Sequence, residues 1–239
     1  MITIEDEGGV RVLTLDRPER RNALTPAGLD ALAEAVEACP APVAYLRGAG
    51  PAFCAGADLA AVAAVAEPDA DADTDAVEPF IRRGQRVANA IEESPAVVIA
   101  GIDGAVRGGG VELAVACDLR LATPAATFGE PGVTFGLFGA WGGTIRLPEV
   151  VGLGDALDLS LSGRVIDSEE ALRIGLVSRV LEEPRTVAER IADNDPTAME
   201  LLKERLRDRR EKPLREDAEL AAFETLVEEH AERLREFGE

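Results

Sequence analysis

In the stretch RGGGVELAVACD, Arg107 to Asp118, three glycines precede an apolar run that carries one carboxylate, Glu112. Glycine loses more backbone freedom on folding than any other residue, and a buried carboxylate is costly unless something uses it. Glu112 lies three positions after Gly109, which puts both on one side of a helix's first turn. Unpaired N–H groups at a helix start, with no Cβ in the way, face an incoming oxygen, and the helix dipole adds positive potential there. A substrate oxygen held at Gly109 N–H would then sit beside Glu112. That arrangement suits proton transfer next to a carbonyl: the amide stabilises an enolate while the carboxylate moves a proton or activates water. Beside Val111, Leu113 and Ala114, the Glu112 carboxyl is expected to titrate above its usual range.

Other uses of glycine-rich turns fail on the residues. A phosphate-cradling GxxxxGK loop needs a lysine, and none lies near a glycine run. GAGPAF has Phe53 where the third glycine of GxGxxG would fall. The chain has no GxSxG elbow. Cys39, Cys54 and Cys117 form no CxxC pair, which argues against a metal site and for buried free thiols.

The elements that would position this chemistry alternate between strand and helix. ITIEDE and VRVLTL read as two strands, the second alternating around Val10, Val12 and Leu15. RPERRNAL is a loop. Thr25 and Pro26 open a helix as N-cap and first helical residue, with Leu29, Leu32 and Val36 on its apolar face. PVAYLRG is a buried strand, and GAGPAFCAGADL is a turn running into a helix near Asp58. The acidic stretch from Ala66 to Pro79 reads as a mobile surface loop. A helix through Phe80, Ile81, Val87 and Ile91, the strand AVVIAGID and the strand DLRLAT follow. From Val151 the chain turns mostly helical, with a helix from Ser168 and a strand at LVSRVLE. In the last helix Leu220, Phe223, Val227, His230 and Leu234 share one face, so His230 reads as a packed or interface residue. The pattern predicts an α/β fold with a C-terminal helical region.

Composition narrows the setting. Among 239 residues, 45 acidic side chains against 25 basic give a net charge of −20, and only Lys203 and Lys212 are lysines. No basic stripe is available for nucleic acid. No run approaches the ~20 apolar residues of a membrane span, and the N-terminus lacks a signal-peptide pattern. A cytoplasmic protein is expected. Its acidic, lysine-poor composition points to a halophilic source, where salt near 1 M screens charge repulsion beyond about 3 Å.

RPERRNAL, GAGPAFCAGADL, IDGAVRGGGVELAVACDLRLAT, FGEPGVTFGLFGAWGGTIRL and LSGRVIDSEEALRIGLVSRV together resemble successive blocks of the crotonase (enoyl-CoA hydratase/isomerase) superfamily. The resemblance runs in family order from about Asp16 to Val180. It implies a repeated ββα core over residues 1–183, a C-terminal helical trimerisation region over 184–239, and a homotrimer or dimer of trimers. It implies an acyl-CoA thioester substrate and no metal or organic cofactor, coenzyme A entering as part of the substrate. The thioester carbonyl would be held by the N–H groups of Ala57 and Gly109. Arg21, Ala23, Ala55, Asp58, Leu59 and Gly108 would line the substrate site. Trp141 reads equally as core packing and as pocket lining.

Glu112 matches the first of two glutamates that the family's hydratases use. The second position is Gly132 here. Glu130, two residues upstream, is an alternative acid/base, or a surface or loop-capping carboxylate. The expected function is therefore an enoyl-CoA hydratase/isomerase-type reaction with one glutamate. Another crotonase-type reaction (decarboxylation, thioester hydrolysis, C–C bond cleavage) and a non-catalytic acyl-CoA binder stay open.

Overall fold

A computed structural model describes residues 1–66 and 77–236. Most of the acidic stretch from Ala66 to Pro79 lies outside these residues, and Val77 already opens a helix. In chain order the elements are β1 (Ile2–Glu7), β2 (Val10–Leu15), α1 (Pro26–Glu37), β3 (Val43–Gly48), β4 (Ala52–Cys54), α2 (Leu59–Ala66), α3 (Val77–Glu93), β5 (Val97–Ile102), β6 (Ala105–Arg107) and α4 (Gly109–Ala116). There follow β7 (Leu119–Ala122), β8 (Thr127–Gly129), α5 (Gly143–Ser162), β9 (Val165–Asp167), α6 (Ser168–Arg173), β10 (Arg179–Val180), α7 (Arg185–Ala192), α8 (Pro196–Arg207), α9 (Lys212–Glu229) and α10 (Ala231–Glu236).

Two sheets organise the chain. The larger has the order β1-β2-β3-β5-β7-β10, parallel throughout except for the β1–β2 hairpin. The smaller has the order β4-β6-β8-β9, with β4, β6 and β8 parallel and β9 antiparallel. Strands β3, β5 and β7 of the first sheet each hand the chain to a three-residue strand of the second and then to a helix: β3–β4–α2, β5–β6–α4 and β7–β8–α5. This is the repeated ββα unit expected from the sequence. The short strands carry no sequence signal of their own, because three residues are too few to show an alternation.

Thr25 caps α1 by accepting a hydrogen bond from Gly28 N at 3.2 Å, and Pro26 takes the first helical position. Leu29, Leu32 and Val36 are buried between α1, the large sheet and α3, with Leu13, Leu46, Val87 and Ile91. The opposite face of the sheet carries Val10, Val12, Val43, Tyr45 and Ile99, covered by Val187 and Ala188 of α7. α8 is tied to the core by charge: Lys203 Nζ and Arg207 Nη2 each lie 2.8 Å from the Asp118 carboxylate. The helix expected from Val151 begins earlier, at Gly143, and is broken at Gly152, whose φ of 80° interrupts the helical run.

Candidate active site

The second sheet places the site. Its strands β4, β6 and β8 are neighbours running the same way, and each releases the chain at its C-terminal end into a loop that carries one expected functional group. β4 leads to Ala55–Ala57, β6 to Gly108 and Gly109, and β8 to Glu130–Gly132. Ligands in open α/β sheets bind beyond the carboxyl ends of parallel strands, where connections diverge.

A cavity of about 310 Å³ opens there, lined among others by Ala55, Ala57, Gly109, Glu112, Glu130 and Trp141. Leu59, Gly108 and Gly132 also reach it, and apolar Val62, Phe80, Ile81 and Phe138 form much of the rest of its wall. A wider groove of about 820 Å³, between the end of α3 and α8, is lined by charged side chains such as Glu92, Arg207 and Arg209. Both arginines pair with Glu92, and neither glycine-rich loop reaches that groove.

The loop after β4 is held by backbone pairing with the RRNAL loop. Leu24 N donates to Gly56 O at 2.8 Å, Asp58 N to Leu24 O at 2.9 Å, and Ala55 N to Arg21 O at 2.9 Å. This pairing consumes the Asp58 amide, and Gly56 N donates to Cys54 Sγ at 3.3 Å, so the amides on either side of Ala57 are both engaged. Ala57 N–H itself has no acceptor among the described residues, nor has Gly109 N–H, the first amide of α4. The two loops touch: a Cβ on Gly56, whose φ is 85°, would fall 2.7 Å from Gly109 N and 2.7 Å from Arg107 O. Only glycine allows that approach.

Glu112 is 2% exposed. Its Oε1 accepts from Trp141 N and Gly143 N, each at 2.7 Å. A Cβ on Gly139 or Gly143 would collide with the Glu112 side chain, so the GAWGG loop needs glycine at these two positions to fold around it. Burial pushes the Glu112 carboxyl above its usual value of 4.5, and the two amide bonds and the Arg146 charge oppose that shift.

Glu130 is 8% exposed and makes no hydrogen bond or ion pair among the described residues. Burial pushes its carboxyl well above 4.5, and the neighbouring Glu112 charge pushes the same way. Gly132 cannot be extended in place: a Cβ would sit 2.9 Å from Leu137 O and 3.1 Å from Phe138 Cα, against main chain. The Leu137–Gly139 segment occupies the space that a side chain at 132 would need, and Leu137 N bonds Gly132 O at 2.9 Å.

Trp141 is both buried and a wall of the cavity. It meets Phe80 edge to face with ring centroids 6.1 Å apart, and its ring lies where a Cβ on Gly84 or Gly109 would be.

Three of the expected site residues lie off the cavity wall. Asp58 caps α2, its Oδ1 accepting from Ala60 N at 2.9 Å, while Oδ2 pairs with Arg17 at 2.5 Å. The Arg17 guanidinium holds the Asp58 carboxyl below its usual range. Arg21 is exposed, and Ala23 offers its carbonyl to Arg17. Asn22, between them, was not singled out in the sequence. It is 1% exposed, takes a φ of 58°, and donates Nδ2 to Ala49 O at 2.9 Å and Ala52 O at 2.7 Å. Its Oδ1 accepts from Arg17 N at 2.9 Å. Asn22 thereby ties the RRNAL loop to β4. Asparagine in such a loop is the available sequence signal, since it tolerates left-handed backbone.

Comparison with known proteins agrees with this architecture. The enoyl-CoA hydratase/isomerase family model matches residues 5–236. A crotonyl-CoA hydratase of Syntrophomonas wolfei is 37% identical over 213 residues, covering 84% of this chain and 79% of the relative. A short-chain-enoyl-CoA hydratase of Clostridium acetobutylicum is 36% identical over 214 residues, covering 85% and 79%. The crystal structure of an enoyl-CoA hydratase from Bacillus anthracis superposes with a TM-score of 0.88 at 32% identity, covering 99% of this chain and 95% of that one. The fold is the crotonase-like α/β fold with C-terminal helices. The chain belongs to the enoyl-CoA hydratase/isomerase family and is an enzyme of hydratase/isomerase type.

Proposed function

We propose that this enzyme hydrates an enoyl-CoA thioester, with Ala57 and Gly109 as an oxyanion hole and Glu112 as the acid/base. The observation that carries the reading is the pair of unengaged amides on the wall of the cavity that also holds the buried Glu112 carboxylate. A thioester oxygen accepting from both amides would gain charge as water adds, and preorganised donors stabilise that charge at no reorganisation cost. The N-terminus of α4 contributes its dipole to the same point. With Oε1 fixed by two N–H groups, the Glu112 carboxylate is oriented, and its other oxygen is available to take a proton from water.

The experiment is hydration of crotonyl-CoA by the purified protein, assayed in high salt because of the −20 net charge, which supports a halophilic source. Glu112→Gln should lower kcat by about 100-fold or more while acyl-CoA binding stays close to that of the wild type. Unchanged turnover would remove Glu112 from the reaction. A second reading, another crotonase-type reaction, draws support from Gly132. Turnover of a malonyl-, β-keto- or hydroxyacyl-CoA in place of an enoyl-CoA would favour it. The exposed apolar residues of α9 support assembly as a homotrimer or a dimer of trimers.

A further inference from the structure

We infer that Glu130 is the second catalytic carboxyl of this enzyme, delivering the proton to the substrate's α-carbon from the loop that follows β8. The inference rests on the hydration reading above and adds a residue to it. Position 132 cannot serve, because main-chain atoms of Leu137 and Phe138 crowd its Cβ direction. Glu130 lies on the same cavity wall as Ala57, Gly109 and Glu112, is more than nine-tenths buried, and has no partner among the described residues. A carboxyl used only to cap a loop would accept a backbone N–H, and Glu130 caps nothing: the turn it opens, Pro131–Phe135, receives no side-chain bond from it.

The two carboxyls stand in opposite environments. The Glu112 anion is held by two amide donors and faces the Arg146 charge. Glu130 has no donor and faces the Glu112 charge, so its neutral form is favoured well above the usual 4.5. Burial raises both carboxyls, but the donors and Arg146 restrain the rise at Glu112 while the Glu112 charge adds to it at Glu130, and two groups separated in this way divide into a base and an acid.

The steps balance on that division. Glu112 takes a proton from water as the water oxygen bonds to the β-carbon, and the double-bond electron pair moves onto the thioester oxygen held by the two amides. The enolate then collapses, its electron pair taking the Glu130 carboxyl proton at the α-carbon and re-forming the carbonyl. The proton on Glu112 returns to Glu130 through solvent, restoring both groups.

The test compares wild type, Glu130→Gln and Glu130→Asp in crotonyl-CoA hydration across pH. Glu130→Gln, which keeps shape and lacks the proton, should lower kcat by about 100-fold with KM unchanged. Glu130→Asp should recover part of that loss. The wild-type profile should fall at high pH as Glu130 ionises, and the residual Glu130→Gln activity should lack that limb. A Glu130→Gln enzyme that keeps kcat within about twofold and keeps the alkaline limb overturns the assignment. A folded wild type that converts no enoyl-CoA overturns the hydration reading and this inference with it. An active wild type with an equally active Glu130→Gln defeats the inference alone.

Discussion

A Cβ built on Gly139 would lie 2.6 Å from Cδ of Glu112, so the loop after β8 and the first turn of α4 fit together only because residue 139 has no side chain. Gly143 bears the same relation to Cγ of Glu112 at 2.8 Å, and also donates its N–H to the carboxylate. Gly139→Ala should therefore displace the carboxylate from its two amide donors. Overpacking of this kind costs about 1–3 kcal/mol. We expect a matching loss in urea stability and a fall in kcat of about tenfold or more from misplacement of the base. Wild-type kcat in Gly139→Ala would mean that the orientation of Glu112 is unimportant to turnover.

Asn22 gives a prediction about a residue remote from the chemistry. Its side chain satisfies carbonyls of Ala49 and Ala52 inside the protein, and Cys54 Sγ donates to its own carbonyl at 3.3 Å. Asn22→Ala leaves those buried acceptors short of donors, at about 1–3 kcal/mol, and places alanine in left-handed backbone. Denaturant titration should show that loss. Because the RRNAL loop fixes the strand end before Ala57, kcat/KM should fall in the folded variant too. A variant as stable as wild type would show that the network contributes nothing net.

The raised Glu130 carboxyl predicts how stability varies with pH. Above the usual glutamate value of 4.5 the unfolded chain loses this proton, while the folded protein keeps it until its own higher value is reached. In that window the folded state binds more protons, so Glu130 lowers stability as pH rises. Glutamine cannot ionise. Urea titrations across pH should find Glu130→Gln more stable than wild type at alkaline pH, with the difference closing toward pH 4.5. A constant difference across that range would show that Glu130 ionises normally in the folded state.

α9 buries none of its residues in the single chain, and it exposes Leu220, Phe223 and Val227 along one side. Phe223→Asp should shift the sedimentation coefficient of the proposed oligomer toward that of a monomer. An unchanged coefficient would place the subunit contact elsewhere. His230, on the same stripe, ends α9 with Nε2 3.2 Å from Asp195 Oδ2, a position between α9 and the start of α8.

Local sequence determined a good part of this molecule. Thr25-Pro26 wrote its own helix start, because capping and a preset φ act within four residues. The triple glycine with Glu112 announced a helix whose first amide is free and whose carboxylate sits one turn away, since that spacing is intrinsic to a helix. Tertiary structure decided what lay between distant segments. The strands β4, β6 and β8 have three residues each and no readable pattern; their parallel pairing alone brings Ala57, Gly109 and Glu130 to one cavity. Whether Glu130 was a surface group or a buried one depended on the chain packed over it, and so did the closure of position 132 by Leu137 and Phe138. Burial and unmet hydrogen-bonding capacity belong to the neighbours a fold supplies, and a residue's own sequence neighbours do not set them.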